Sequence, residues 1–231
     1  MSRVARTAVA AAVALLVVTA VSAAGADHTA DGASEEPPPR FEAPAPGSYE
    51  LPAIDYVTEH YLLGTSGKPE PLLHLAKGEL AIVSFVYLSC GEACPLSTAM
   101  LHRLDGELAK SPDLSSRVAL VTVSFDPRRD TPEKMRALRA ALAPRGRWRF
   151  LTARNERALR PVLADFGQDA VRIVDEANAP DSLRHVLKVF VVDASGAIRQ
   201  IYSTEFLDPR LVLADLRTLL GAPVVAGDDD P

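Results

Sequence analysis

Residues 80–88 (Leu-Ala-Ile-Val-Ser-Phe-Val-Tyr-Leu) run straight into Cys90–Gly91–Glu92–Ala93–Cys94–Pro95. The run is apolar, β-branched and aromatic, and Gly78 and Gly91 bound it. Such a stretch reads as a buried strand. Pro95 suits the first turn of a helix, where a missing N–H costs nothing. Met100, Leu104 and Leu108 then recur every fourth residue, with Leu101 beside them, which gives an apolar helix face. The cysteines therefore stand where a strand turns into a helix. A helix start presents free N–H groups and partial positive charge, both of which favour a thiolate.

These are the only two cysteines in 231 residues. They are too few for a disulfide scaffold or a Cys-only zinc site. They suffice for one redox pair, or for two soft ligands of a metal site. A formal net charge of −5 argues against a nucleic-acid partner, which wants a basic face. With 48% hydrophobic residues, the chain is most economically one domain with tails.

Arg3 and Arg6 precede an uncharged run over residues 7–26 that ends in Ala24–Gly25–Ala26. Residues 1–26 read either as a signal peptide cleaved at those small residues or as a retained N-terminal membrane anchor. Both alternatives export the rest of the chain, to the periplasm or to the outer side of the inner membrane. There a close cysteine pair tends to be oxidised. Residues 27–46, with five prolines, read as a disordered tether. The domain is expected over 47–220, and 221–231, with three aspartates, as an acidic disordered tail.

Within the domain, residues 49–54 read as a short extended segment and 61–71 as a turn or loop. Strands are expected at 80–88, 118–125, 148–151, 186–192 and 197–203. Helices are expected at 95–110, from Asp130 or Thr131 onward, after Asn155 to Phe166 with a kink or late start at Pro161, and at 207–220. Residues 167–182 show no period and read as an inserted loop. Asp193–Ala194–Ser195–Gly196 is a hairpin signature. Strand–helix alternation implies a parallel sheet, and the closing hairpin adds an antiparallel pair. The fold class is α/β, a central mixed sheet with helices on both faces. A cysteine pair that ends the first core strand and opens the first helix is the layout of the thioredoxin fold.

Three segments resemble the Sco/SenC family, exported thioredoxin-fold copper chaperones linked to assembly of cytochrome c oxidase. The first is Phe85–Val86–Tyr87 leading into the C-x3-C-P motif at Cys90 and Cys94. The second is Ser124–Phe125–Asp126–Pro127–Arg128–Arg129–Asp130–Thr131–Pro132, like the family's S-x-D-P-x-x-D-T-P. The third is His185, eight residues before Asp193, where the family's metal-binding histidine stands. Gly91 departs from the family's usual proline, and Arg184 and Val186 from its usual neighbours of that histidine. The resemblance implies copper held by Cys90, Cys94 and His185. It also implies a partner that is a cytochrome c oxidase copper-bearing subunit or another exported cuproprotein.

Two thiolates and an imidazole suit Cu(I), and three ligands leave an open edge for handing copper on. The same pair can close as a disulfide, and then it binds no copper. The rival reading is a thiol–disulfide oxidoreductase with Cys90 or Cys94 as nucleophile. A peroxidase would need an activating arginine and threonine, and nothing local to Cys90 supplies them. His102 lies eight helical residues past Cys94, about 12 Å of rise, too far to share a metal. It reads as a surface or partly buried residue, and His60 and His74 as surface residues. Asp126 and Asp130 read as a strand end and a helix cap, or as neighbours of the copper site. Arg145, Arg147, Arg149 and Arg154 read as a solvated face.

Overall fold

The computed structural model describes residues 42–89, 93–168, 171–173, 182–184, 188–203 and 207–221. The apolar N-terminal run, most of the expected tether, Cys90, His185 and residues 222–231 lie outside the described residues. The elements run β1 (Asp55–Tyr56), β2 (Tyr61–Leu63), β3 (Pro69–Pro71), β4 (Leu80–Val86), α1 (Ala93–Ala109), α2 (Pro112–Ser115), β5 (Val118–Ser124) and α3 (Pro132–Leu142). They continue with β6 (Trp148–Leu151), α4 (Glu156–Asp165), β7 (Val171–Ile173), β8 (Ser182–Arg184), β9 (Lys188–Asp193), β10 (Ala197–Ser203) and α5 (Pro209–Leu220).

Six strands form the central sheet in the order β1-β10-β9-β4-β5-β6. β4, β5 and β6 are mutually parallel, while β9 runs antiparallel to both β4 and β10. This is the mixed α/β architecture expected from the sequence. Every residue of β4 and of β5 is buried. Successive side chains in a strand point to opposite faces, so burial of both faces requires an unbroken apolar run rather than an alternating one. Ala81, Val83 and Phe85 enter one core with Leu159, Val162 and Phe166 of the α4 region. Leu80 and Ile82 enter the other, with Leu101, Leu104 and Leu108 of α1, Met135 of α3, and Val212 and Leu216 of α5.

An aromatic cluster fills the first core. Phe85 lies 5.3 Å from Phe125, 5.2 Å from Phe166 and 6.1 Å from Phe190, ring centre to ring centre. In the second core a buried polar rung crosses three strands. The Trp148 indole donates to Thr122 Oγ1 at 2.9 Å, and that hydroxyl lies 3.0 Å from Ser84 Oγ. The rung satisfies polar groups that burial would otherwise penalise.

The chain around the sheet is held by specific polar ties. Asn155 caps α4 by accepting from the Ala158 N–H at 2.9 Å. Pro161 is carried inside α4 without ending it. The β9–β10 turn is closed by Asp193, whose Oδ1 accepts from the Ser195 and Ala197 amides. Gly196 has φ +84°, and a Cβ there would stand 2.6 Å from the Val57 carbonyl oxygen. Only glycine admits that close approach. Buried Asp215 on α5 accepts from the hydroxyls of Tyr49 and Tyr202, which binds the N-terminal strap to α5 and β10. Burial and the Asp215 carboxylate push the Tyr49 hydroxyl up to about 12.

Four local expectations change. Residues 61–71 are a hairpin, β2 paired with β3, not a loop. The span 167–182 contains β7, which pairs with β8 beyond it, so it is not merely an inserted loop. The short extended piece is β1 at Asp55–Tyr56, one step later than 49–54. Arg147 and Arg149 are cross-links rather than a solvated face. Arg147 bonds Glu79 at 2.7 Å and the Ser116 carbonyl at 2.8 Å. Arg149 bonds Glu70 and the carbonyls of Pro71 and Leu72, fastening β3 beside β6.

Two predictions follow from this packing. Phe85→Ala empties the centre of the aromatic cluster and should cost about 3–5 kcal/mol, read from urea unfolding. Acid should weaken the fold through Asp165. Burial opposes its ionisation, but the Thr58 hydroxyl and amide and the His60 ring outweigh it and hold the carboxyl below its ordinary value. A depressed carboxylate stabilises fully above its unfolded pKa, and that contribution is lost as pH falls through the folded pKa. Unfolding midpoints should therefore drop on acidification below about pH 4, and Asp165→Asn should flatten that part of the profile.

Candidate functional site

The parallel strands β4, β5 and β6 all end at one edge of the sheet, and the cysteine motif begins there. Cys94 is the second residue of α1, so its backbone belongs to the first helical turn, where N–H groups lack intrahelical partners. Cys90 and His185 lie outside the described residues. Of the three predicted ligands, the structure thus places Cys94 in its element, and for the other two it describes the strands that lead to them. Cys90 follows the end of β4 by four residues, and His185 precedes the start of β9 by three. Those two strand ends are neighbours, because β9 pairs antiparallel with β4 in the register Ser84↔Val189.

α1 is fixed against the sheet by more than its leucines. Asp105, fully buried on this helix, accepts from the backbone amides of Arg145 at 2.6 Å and Gly146 at 2.9 Å. That locks the helix to the loop entering β6. His102 is half-buried on α1, as its spacing suggests. His60 is not a surface residue. Its side chain is only 11% exposed and its Nε2 lies 2.8 Å from Asp165.

The loop after β5 supplies polar groups at the exit of β4. Asp126 is fully buried, and Arg129 bonds its carboxylate at 2.5 Å. The Asp126 amide donates to Ser124 Oγ at 2.9 Å. The Ser124 hydroxyl in turn donates to Asp130 Oδ2 at 2.7 Å, and the Leu88 N–H donates to the same oxygen at 3.0 Å. Burial pushes the Asp130 carboxyl above its ordinary value, against the pull of these two donors. Asp130 does not cap α3; Thr131 occupies the cap position with no side-chain bond to the helix. The sequence marks Asp126 and Asp130, but the reach of Asp130 back to the end of β4 depends on the pairing of β5 with β4.

Among the described residues no group of three or more His, Cys, Asp or Glu is arranged to hold a metal. Two of the three expected ligands are not among those residues. Two clefts among the described residues are a groove of about 440 Å³ lined by Tyr61, Leu63, Arg154 and Arg157, and a smaller one beside Tyr49 and Arg199. No helix among the described residues is long and apolar enough to cross a membrane.

A mixed sheet with a cysteine helix at the end of its first core strand defines a thioredoxin-like protein. The family model for SCO1/SenC matches residues 53–221, and the chain belongs to this family. It is 24% identical over 153 residues to the SCO1 protein homolog of Bacillus subtilis (strain 168), covering 65% of this chain and 75% of that protein. It is similar in fold to Bradyrhizobium japonicum ScoI, solved with copper bound, at TM-score 0.56 and 21% identity over 69% of this chain and 96% of that one. It is also similar to BsSco, described as having a disulfide switch and as a member of the Sco family of cytochrome c oxidase assembly proteins. That likeness has TM-score 0.60 and 22% identity, over 76% of this chain and all of that one.

The Asp126–Arg129 pair gives a test of the loop. Arg129 is about a third exposed, so its loss is screened in part. Arg129→Ala should destabilise the fold by about 1–3 kcal/mol, and Arg129→Lys by less. Urea titration monitored at Trp148 checks both.

Proposed function

We propose that this protein is a copper-binding chaperone that works outside the cytoplasm, taking copper on Cys90, Cys94 and His185. One observation carries the reading: the antiparallel pairing of β4 with β9. It sets the strand end that leads to Cys90 beside the strand start that follows His185. The connecting stretches of four and three residues span at most about 14 Å and about 11 Å. Residues far apart in sequence can therefore reach one edge of the sheet, which supports the three-ligand reading. Membership of the SCO1/SenC family and the copper-bound relative support the cargo.

The donor set fits copper. Thiolates are soft ligands that select Cu(I), and imidazole accepts copper in either oxidation state. The first turn of a helix, where Cys94 stands in α1, is a place that favours a thiolate. Three ligands leave one side open to an incoming ligand of a client. The client in this reading is a cytochrome c oxidase copper-bearing subunit or another exported cuproprotein, in keeping with the assembly role named for BsSco. Residues 7–26 serve as export signal or membrane anchor, and residues 27–46 as the tether that carries the domain over 47–220.

A second reading rests on the same helix start. Cys90 and Cys94 can close as a disulfide, releasing two electrons and two protons to an acceptor disulfide, which is reduced to two thiols. When the acceptor is a client's disulfide, this step leaves the client's cysteines reduced and ready for metal. The disulfide switch named for BsSco supports this alternative. Metal loading and disulfide formation exclude each other, because both use the same sulfurs.

The test is Cu(I) binding to the reduced protein in competition with a Cu(I) chelator. One copper per chain is expected, abolished by Cys90→Ser or Cys94→Ser and weakened by His185→Ala. Weak binding indifferent to His185 would sink the chaperone reading and leave the redox pair.

A further inference from the structure

We infer that Asp130 is a positioning residue for the cysteine turn, acting through the backbone of Leu88. The inference rests on the reading of Cys90 and Cys94 as the working thiols. The sheet ladder between β4 and β5 makes its last bond where the Phe125 N–H donates to the Val86 carbonyl at 2.7 Å. Past that point β4 has left the sheet, and Leu88 carries an exposed side chain. Its N–H is nevertheless held, by Asp130 Oδ2 at 3.0 Å. Leu88 stands two residues before Cys90, about 7 Å of chain at most.

The carboxylate is built for that bond rather than for the helix beside it. Asp130 is 1% exposed, and burying a carboxylate costs free energy unless it is well paired. Thr131, not Asp130, holds the cap position of α3. Both donors meet one oxygen: the Leu88 N–H and the Ser124 hydroxyl, which is itself held by the Asp126 N–H at 2.9 Å. Asp126 N–H, Ser124 hydroxyl, Asp130 carboxylate and Leu88 N–H thus form one chain of bonds from the β5 exit to the β4 exit. A metal or redox site needs its ligands held to within about 0.5 Å. This chain stiffens the stretch from which the first cysteine departs.

The experiment compares Asp130→Ala and Asp130→Asn with the parent, all as the full reduced chain. Three quantities are read: hydrogen exchange at the Leu88 amide, the rate of cysteine alkylation by iodoacetamide, and Cu(I) affinity by chelator competition. Asp130→Ala should expose the Leu88 amide to exchange, change the alkylation rate and lower Cu(I) affinity by about tenfold, the usual scale for losing a supporting hydrogen bond at a metal site. Asp130→Asn should restore all three, since its amide oxygen can occupy the place of Oδ2. If Asp130→Ala fails to fold, Ser124→Ala takes its place, with the same changes at smaller amplitude. A folded variant with parent-like alkylation and affinity overturns the inference, and so does Asp130→Asn as impaired as Asp130→Ala. If the parent itself binds Cu(I) weakly, the copper reading fails separately, and the exchange and alkylation results still decide the role of Asp130.

Discussion

β4 is the constraint on which the rest depends. It is flanked by β5 on one side and β9 on the other, and both of its faces are buried. A strand enclosed on four sides cannot slip, because a shift of one residue would send every side chain to the wrong core. Its end is therefore a fixed point. In the proposed function the chemistry begins four residues beyond that point, at the first cysteine of a pair whose second member lies at the start of α1.

Around this edge several buried polar groups are satisfied by nearby protein groups. The Trp148–Thr122–Ser84 rung lies within the sheet, and the Asp126 and Asp130 carboxylates lie at its end. Each has named partners. Low dielectric strengthens such bonds and makes an unmade one expensive. The arrangement holds the strand exits still at the end of the sheet from which the chain runs on to the cysteine motif. A carrier of a soft metal needs both: sulfurs held in register and an open side for transfer. A thiol–disulfide exchanger needs the same open approach, which is why the two readings share one scaffold.

Much of the architecture was legible in the chain. The buried strands announced themselves as apolar runs, Asn155 as a cap and Asp193–Gly196 as a hairpin turn, because each signal is local. The hairpins at β2–β3 and β7–β8 were not legible. Their strands are three residues long, too short to show a period. β2 and β3 are held from outside, by the Leu63–Thr152 bridge and by Arg149. Arg147 and Arg149 looked like surface charge, since nothing in their neighbourhood names Glu79 or Glu70 as partner. At the candidate site, the cysteine motif and the two aspartates stood out by spacing. The target of Asp130 did not, because Leu88 is 42 residues away.

The sequence by itself determined which segments could be buried, where helices start, and which atoms could do chemistry: two thiols, one imidazole and a pair of acidic side chains after β5. Periodicity and residue type suffice for that, because they act over a few residues. Only the tertiary structure decided that β9 lies antiparallel beside β4, that one carboxylate reaches from β5 to the exit of β4, and that Asp105 ties α1 to the β6 loop. Those are choices of strand order and register. They are set by which faces must be buried together across the whole domain, and no local stretch of chain carries that information.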